Sequence, residues 1–291
     1  MIELDAYGMP FHIPYTFPNP EPGGVYVSSP LLAPVRFDSP LVAPAANGLY
    51  SAVTWTDEPG PLRFMDSGVQ IRPWNYNGDI SGGNTFGVWD EPWCTGPESG
   101  SDALKAGERP DMDPDPFVPL TVWAYDQCDL TRPSQTEVLA RVQQILRLNE
   151  QTAVETSFGT RMLDDADTIA SAGSLAEAVA YLEGELAKVN IVGQIHAAAD
   201  LASLMGTDLI ISSGAGKRSM LGHAYVFGGG YITSLGTTLV ATSTTYGWRD
   251  AVAVRSTVDQ QNNVFAAVAE RTVVVGYERV VAAVTYTATS S

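Results

Sequence analysis

Two short segments combine adjacent carboxylates with tryptophan, the residue types that glycosidases use for acid–base chemistry and for stacking on sugar rings. They are Trp55-Thr56-Asp57-Glu58 and Trp89-Asp90-Glu91-Pro92-Trp93. Because adjacent residues of a strand point to opposite faces, neither pair alone forms an acid–base couple. A couple would need one carboxylate of each segment to meet across a hairpin, so a carbohydrate-active enzyme stays open only as an alternative.

A glycine-rich segment, Gly214-Ala215-Gly216-Lys217-Arg218-Ser219, resembles at first sight the loop that binds nucleotide phosphates. That loop needs a further glycine where this chain has Ile211, and a serine or threonine where it has Arg218. Without that hydroxyl the magnesium contact is lost. The segment is therefore predicted to be a surface loop, and no cofactor is expected.

Metal-binding patterns are equally incomplete. Asp111, Asp113 and Asp115 resemble the beginning of a calcium loop. The sixth and twelfth positions of such a loop should be glycine and glutamate, and here they are Pro116 and Val122. No metal site is expected beyond a weak, incidental one.

Histidine and cysteine are too sparse to build a zinc site. His12, His196 and His223 each stand without a ligand partner at suitable spacing, and Cys94 and Cys128 are expected to be reduced thiols rather than a disulfide. His196 is expected at the opening of a helix, in a packing or capping role.

The charge balance narrows the class of partner. The chain of 291 residues carries 33 acidic and 16 basic residues, a net charge of −17, and only three lysines: Lys105, Lys188 and Lys217. A sequence-reading nucleic-acid binder needs clustered basic residues, so this class is improbable. The acidity suits either plain solubility or a container that must not adhere to the nucleic acid inside it. No apolar run is long enough for a membrane helix, and the opening Met-Ile-Glu-Leu-Asp is no targeting signal.

The first segment of the chain is unlike a globular domain. Nine prolines fall within the first 44 residues, which prevents helices and central strands and predicts an extended arm. The arm is also rich in large apolar residues, which disordered tails lack. We therefore expect it to be ordered on a neighbouring subunit or, as the less favoured alternative, on its own domain.

Residues 54–96 have the pattern of two strands and a turn. Leu62–Phe64 and Val69–Arg72 precede a polar tip at 75–84, and Phe86–Trp89 returns. This predicts a long hairpin. A hairpin alone is marginally stable, so it too needs support from outside.

Helical patterns follow. Ser134-Gln135-Thr136-Glu137 is a capping box before a helical apolar pattern, and Gly159 is available to stop it, which predicts a spine helix over 134–158. A second capping box, Ser174-Leu175-Ala176-Glu177, opens another helix. A third helix is predicted from His196 to Met205, closed by Gly206.

The rest of the chain is rich in β-branched residues. A strand is predicted over 117–126, and further strands over 209–212, 224–227, 237–245, 251–255 and 264–287. Helices and strands are segregated without βαβ alternation, so the predicted class is α+β.

The closing segment, Asn263 to Glu278, resembles the end of many actinobacteriophage capsid proteins, with an Asn-rich turn, an Ala-Glu-Arg step and a final strand. Ile195-His196-Ala197 resembles the short motif before a helix in their axial domain. In its order of parts the chain resembles the major capsid protein of tailed bacteriophages with the Hong Kong 97 fold, which encapsulin shells share. The likeness covers residues 117–287 in pattern and residues 1–96 only in the order of elements.

The resemblance implies a division into five parts. These are an N-terminal arm at 1–54, an extended loop hairpin at 55–96, a peripheral domain with the spine helix at 97–173, an axial domain at 174–262, and return strands to the peripheral domain at 263–291. Inter-subunit contacts are predicted at large aromatic residues of the arm and the loop: Phe11, Tyr15, Phe17, Tyr26, Phe37, Trp74, Tyr76, Phe86 and Trp89.

The implied function is structural rather than enzymatic. The subunit would assemble with itself into hexamers and pentamers of an icosahedral head that encloses phage DNA without sequence-specific binding. Scaffolding, portal and decoration proteins are further expected partners, and no membrane is involved. Its location would be the virion, after assembly in the host bacterial cytoplasm. The alternatives are an encapsulin-like nanocompartment and, in a different class, a β-rich carbohydrate-active enzyme.

Two details of the family bear on this chain. Subunits of the founding member are cross-linked through a loop lysine and a neighbour's asparagine, but residues 55–96 contain no lysine. The shell is therefore expected to be held by noncovalent contacts. Glycines of the axial loops, among them Gly214, Gly216 and Gly228-Gly229-Gly230, are expected where the subunit must bend.

Overall fold

The computed structural model describes residues 35, 37–58, 62–75, 113–214 and 216–287. The chain divides into two units, Met1–Leu41 and Val42–Ser291. In the first unit the described residues are exposed and belong to no helix or strand. Of the arm predicted at 1–54, residues 35 and 37–47 are described as exposed chain without helix or strand, whereas its end at 49–52 is a short helix, which was not predicted. Residues 1–34 and 36 of the arm lie outside the described residues.

All described helices and strands lie in the second unit. The helices are α1 (Leu49–Ala52), α2 (Phe64–Ser67), α3 (Arg132–Asp164), α4 (Leu175–Lys188), α5 (Leu201–Leu209) and α6 (Tyr231–Ser234). The strands are β1 (Thr54–Trp55), β2 (Leu120–Cys128), β3 (Ile169–Ala172), β4 (Gln194–Ala198), β5 (Ile211–Ser213), β6 (Gly216–Arg218), β7 (Ala224–Gly228), β8 (Thr238–Thr242), β9 (Thr245–Arg249), β10 (Ala253–Asp259), β11 (Val264–Tyr277) and β12 (Val280–Tyr286). This mixture confirms the predicted α+β class.

The spine helix α3 is longer than predicted at both ends. Its 33 residues make it about 50 Å long. It begins at Arg132 after an extended Thr131, and Pro133 sits in the first turn, where a missing N–H costs nothing. The predicted capping box at Ser134 is therefore wrong, because the cap lies earlier in the chain.

Gly159 does not stop the helix either. A side chain at this position would collide with Ser234 and Tyr231 of α6, which packs against the helix here. The glycine is required for close approach of two helices. The spine helix therefore continues to Asp164.

Seven buried residues of α3 follow one another at intervals of four. They are Val138, Val142, Leu146, Glu150, Val154, Phe158 and Met162. Four residues of an α-helix turn through about 400°, so such a row drifts around the helix by about 40° at each step. The first three members pack in a small core with alanines of β2 and β11, and the last three pack in the larger core. One helix thereby serves two cores.

Two sheets flank these cores. The five-stranded sheet has the order β1-β9-β11-β10. Its fifth strand, β2, lies off this path and pairs with β11. The seven-stranded sheet has the order β3-β12-β8-β4-β7-β6-β5. Strand β11 is the centre of the first sheet, because its 14 residues pair with β2, β10 and β9 in antiparallel register.

The predicted domain boundaries do not coincide with these sheets. Strands β9 and β10, within the predicted axial segment, pair with β11 of the five-stranded sheet. Strand β3, from the predicted peripheral segment, and β12, a predicted return strand, belong instead to the seven-stranded sheet. The division into peripheral and axial domains stays a prediction.

The second predicted helix is confirmed and the third is wrong in its first half. Ser174 caps α4 by accepting a hydrogen bond from the Glu177 backbone N–H at 3.2 Å, as its capping box predicts. The segment around His196, however, is the buried strand β4, and α5 begins only at Leu201. Gly206 does not close α5 but kinks it, with φ at 60°.

The predicted hairpin at 55–96 is only partly within the described residues. Where a first strand was expected around Phe64, the chain forms the short helix α2. Val69 makes an isolated antiparallel bridge with Phe117. The return of the hairpin, and its tip beyond Asn75, lie outside the described residues.

Candidate assembly interface

Two of the nine predicted contact residues belong to the described part of the chain. Phe37 is 80% exposed and Trp74 is 72% exposed. The guanidinium of Arg72 lies 5.4 Å from the Trp74 ring, and the Trp74 backbone N–H donates to Glu278 at 3.0 Å. Seven residues lie outside the described ranges: Phe11, Tyr15, Phe17, Tyr26, Tyr76, Phe86 and Trp89. Their contact role stays a prediction.

A further aromatic surface lies on β2, whose residues were not among the predicted contacts. Trp123 is 66% exposed and Tyr125 is 47% exposed, while Ala124 between them is buried against the spine helix. Across the strand pair Trp123 faces Glu270 and Tyr125 faces Val268. The alternation of Trp, Ala and Tyr could have revealed this surface, because side chains of a strand alternate between faces. Exposed apolar patches of this kind mark interaction sites.

A buried carboxylate joins the spine helix to two other parts of the chain. Glu155 is fully buried, and one of its oxygens accepts from the Leu49 backbone N–H and the Gln151 side chain, each at 2.9 Å. The other oxygen accepts from the Gly230 backbone N–H at 2.9 Å. Because a buried carboxylate needs such donors, Glu155 holds both the start of α1 at Leu49 and the loop before α6 at Gly230 on the spine helix. We call this set of hydrogen bonds the joint.

The glycines of that loop are part of the same joint. A side chain at Gly230 would collide with the backbone of Thr152 and with Glu155, and one at Gly228 would meet Glu155 and Tyr231. The expectation that these two glycines provide bending is wrong, since they allow close packing on the helix. Gly229 has ordinary space around it.

A second buried carboxylate, Glu150, lies five residues earlier on the helix. Glu150 accepts from the Tyr50 hydroxyl at 2.7 Å and lies 3.3 Å from the Arg271 guanidinium. Burial raises the pKa of Tyr50, and the adjacent Glu150 charge raises it further. The tyrosine thus stays a protonated donor to Glu150.

His196 is fully buried at the centre of the seven-stranded sheet. Its Nε2 lies 2.9 Å from the Thr242 hydroxyl, which itself donates to the Ser243 carbonyl. Thr242 therefore accepts from Nε2–H, and Nδ1 accepts from the Tyr231 hydroxyl at 3.0 Å. Burial lowers the pKa of His196 to about 3. This is the packing role expected of His196, although on a strand.

The residues considered for catalysis show no catalytic arrangement where they are described. Glu58 is ion-paired to Arg63 at 2.8 Å, and the hydrogen bond from Arg63 lowers the Glu58 pKa. A glycosidase general acid needs a raised pKa. Asp57 lies beside it on the chain, whereas Asp90 and Glu91 lie outside the described residues.

The structure also shows where the phosphate-loop-like and calcium-loop-like segments lie. Gly214 sits in the turn of the exposed β5–β6 hairpin, with no helix after it for a nucleotide phosphate. Among the described residues, no three side chains of His, Cys, Asp or Glu come together in a way that could hold a metal ion, and Asp111 of the calcium-like pattern is outside them. None of the described helices is long and apolar enough to cross a membrane.

The arrangement of spine helix, two sheets and closing strands defines the Hong Kong 97 fold of capsid subunits. The chain is similar to the capsid chain of an empty GTA particle, with a TM-score of 0.53 and 11% identity over 89% of this chain and 96% of the other. For the capsid of the native GTA particle the TM-score is 0.52 and the identity 9%, over 89% and 96% of the two chains.

A chain of Microbacterium phage Oxtober96 is similar with a TM-score of 0.50 and 11% identity, over 89% of this chain and 97% of the other. At these identities the likeness concerns the fold. No protein-family model and no curated protein matches the sequence.

Proposed function

We propose that this chain is the major capsid subunit of a tailed bacteriophage, which assembles with its own copies into the hexamers and pentamers of an icosahedral head. One observation carries the proposal. A subunit with the capsid fold presents the aromatic surface of Trp123 and Tyr125 to solvent on a strand whose other face is packed. Burial against another copy would remove this surface from water, and large obligate interfaces are apolar.

The charge of the chain fits the contents of such a head. With a net charge of −17, a shell of many copies would repel DNA rather than bind it tightly. Enclosure without sequence-specific binding follows. Within the proposal, the subunit belongs to the virion, and scaffolding, portal and decoration proteins are its further partners.

Electron microscopy and sedimentation of the purified chain test the proposal. We expect closed particles of megadalton mass, whereas a monomer at every concentration would contradict the capsid role. Particles that enclose a protein cargo instead of DNA would favour a compartment shell.

A substitution pair tests the aromatic surface itself. Trp123→Ser with Tyr125→Ser should lower the yield of particles about tenfold or more, because two aromatic contacts are lost at each copy. The control is Tyr181→Ser, which removes another exposed aromatic residue, on α4, with 38% exposure. Equal yields from the pair and the control would rule out β2 as an interface.

A further inference from the structure

A recess of about 410 Å³ lies beside the spine helix, at the level of Glu150. It is open to solvent on one side and is walled by the helix, the end of β9 and the middle of β11. Its lining residues are Pro44, Tyr50, Gln143, Leu146, Arg147, Glu150, Gln151, Arg249, Val252 and Arg271.

Three of the chain's 16 basic residues meet in this recess, in a molecule whose net charge is −17. They are Arg147, Arg249 and Arg271, and among the described residues Glu150 is the only carboxylate that lines the recess. The described lining therefore carries two positive charges in excess. A concave site with apolar walls concentrates such a field, so an anion would be attracted here.

Arg249 and Arg271 are held by contacts within the chain, whereas Arg147 is exposed on the spine helix. The Arg249 guanidinium carbon lies 4.2 Å from the centre of the Trp55 ring, and a cation over a ring face uses none of its N–H donors in that contact. Within the described part of the chain, neither Arg147 nor Arg249 forms an ion pair with a carboxylate. Arg271 reaches Glu150, yet its buried Nε has no hydrogen-bond partner among the described residues.

We propose that this recess binds an acidic side chain of a second copy of the chain. Arginine binds carboxylates through two parallel hydrogen bonds, and the apolar wall of Leu146 and Val252 suits the stem of an aspartate or glutamate. A second copy is the richest source of carboxylates, with 33 acidic residues. Nucleic acid fits less well, because its binding needs a stripe of basic residues along a surface rather than one recess. The inference rests on the proposed assembly of many copies.

Carbodiimide cross-linking tests the contact directly. The reagent joins a lysine amine to a carboxylate that touches it, and arginine does not react. Arg249→Lys therefore places a reactive amine in the recess, in a chain with only three lysines of its own. Assembly from a mixture of ¹⁴N- and ¹⁵N-labelled chains, followed by mass spectrometry, tells whether the two joined peptides come from one copy or from two.

The expected result is a cross-link between differently labelled copies from the introduced amine, and none from Arg132→Lys, a control outside the recess. A cross-link to Glu150 of the same copy is expected in any case, because Glu150 lines the recess. Cross-links confined to one label would show that no acid of a second copy enters the recess and would overturn the proposal. So would the absence of any cross-link at the recess in particles that assemble normally.

Removal of one recess charge gives an independent measurement. Arg147→Gln changes an exposed residue of the helix, so folding should survive. We expect the concentration needed for assembly to rise about tenfold, or about 1.4 kcal/mol per contact. Unchanged assembly with less DNA retained inside would instead indicate a phosphate ligand and refute the carboxylate contact. Failure of the unsubstituted chain to form particles would contradict the capsid proposal itself. Normal assembly without the recess contact would contradict only the present proposal, so the two outcomes can be distinguished.

Discussion

Acidification should destabilise the seven-stranded sheet through His196. The ring is neutral in the folded chain, because burial lowers its pKa to about 3, whereas an unfolded histidine titrates near 6.5. Between pH 3 and pH 6.5, His196 is therefore protonated in the unfolded chain and neutral in the folded chain. The free energy of unfolding is unaffected by this group above pH 6.5 and falls progressively between pH 6.5 and pH 3.

The magnitude follows from the difference between the pKa of His196 in the folded chain and that of an unfolded histidine. Protonation would place a second N–H at Nδ1, where Tyr231 donates, and would leave a charge in a fully buried site beside Phe158. Each pH unit below 6.5 costs about 1.4 kcal/mol, so the loss between pH 7 and pH 4.5 is about 2 to 3 kcal/mol. That is a large part of the stability of an ordinary domain.

Two measurements examine this prediction. The free energy of unfolding is measured in urea at pH 7 and at pH 4.5, for the unsubstituted chain and for His196→Gln, whose side chain does not titrate. The loss between the two pH values should be smaller in the variant by about 2 to 3 kcal/mol. Deuterium exchange at the histidine C2 position, followed by mass spectrometry, reports the pKa of each histidine in the folded chain. His223→Gln is the control, and it should leave the exchange of His196 unchanged.

An exchange midpoint of His196 near pH 6.5 in the folded protein would refute the reasoning. An equal pH dependence of unfolding in the variant and the unsubstituted chain would refute it too. Either result would mean that the ring reaches water in the folded chain.

Two further predictions concern the joint on the spine helix. Glu155→Gln should lower the free energy of unfolding by about 2 to 3 kcal/mol, because the amide NH₂ would face a backbone N–H where a carboxylate oxygen accepted a hydrogen bond. A change below about 0.5 kcal/mol in urea unfolding would show that these hydrogen bonds do not stabilise the fold. Gly230→Ala should lower the free energy of unfolding by about 2 kcal/mol or more, because the new side chain would collide with the Thr152 backbone. Gly229→Ala, which has ordinary space around it, should leave thermal unfolding nearly unchanged. Similar losses of stability in both variants would show that close packing is not the reason for the glycine at 230.

The elements that the sequence could predict are those with a local cause. The capping box at Ser174 places its own donors and acceptors within four residues, so α4 was found with its first residue. The spine helix was found from its apolar spacing, but its ends were not. Pro133 in the first turn and Gly159 in the interior are both explained by contacts that no local pattern contains.

The third helix shows the opposite case. Ile195 and His196 belong to a strand that is buried on both faces, so its residues do not alternate and its pattern cannot be distinguished from that of a buried helix. Only pairing with β7 and β8, 30 and more residues away along the chain, decides the matter. The same holds for the recess, because Arg147, Arg249 and Arg271 meet only when β9 and β11 lie beside the spine helix.

The packing of α3 in two cores restricts where the chain can change its shape. Val142 is fixed in the small core and Phe158 in the larger one, so the two sheets cannot move apart without loss of packing on the same helix. Glu155 and Gly230 lock the loop before α6 onto that helix as well. Open space around a described glycine occurs both within helices, at Gly184 of α4, and in the exposed tip of the β5–β6 hairpin, where a side chain at Gly214 would meet nothing within 4 Å. If one subunit serves both hexamers and pentamers, the difference between its two environments is therefore expected at such exposed tips, with the spine helix and both cores unchanged.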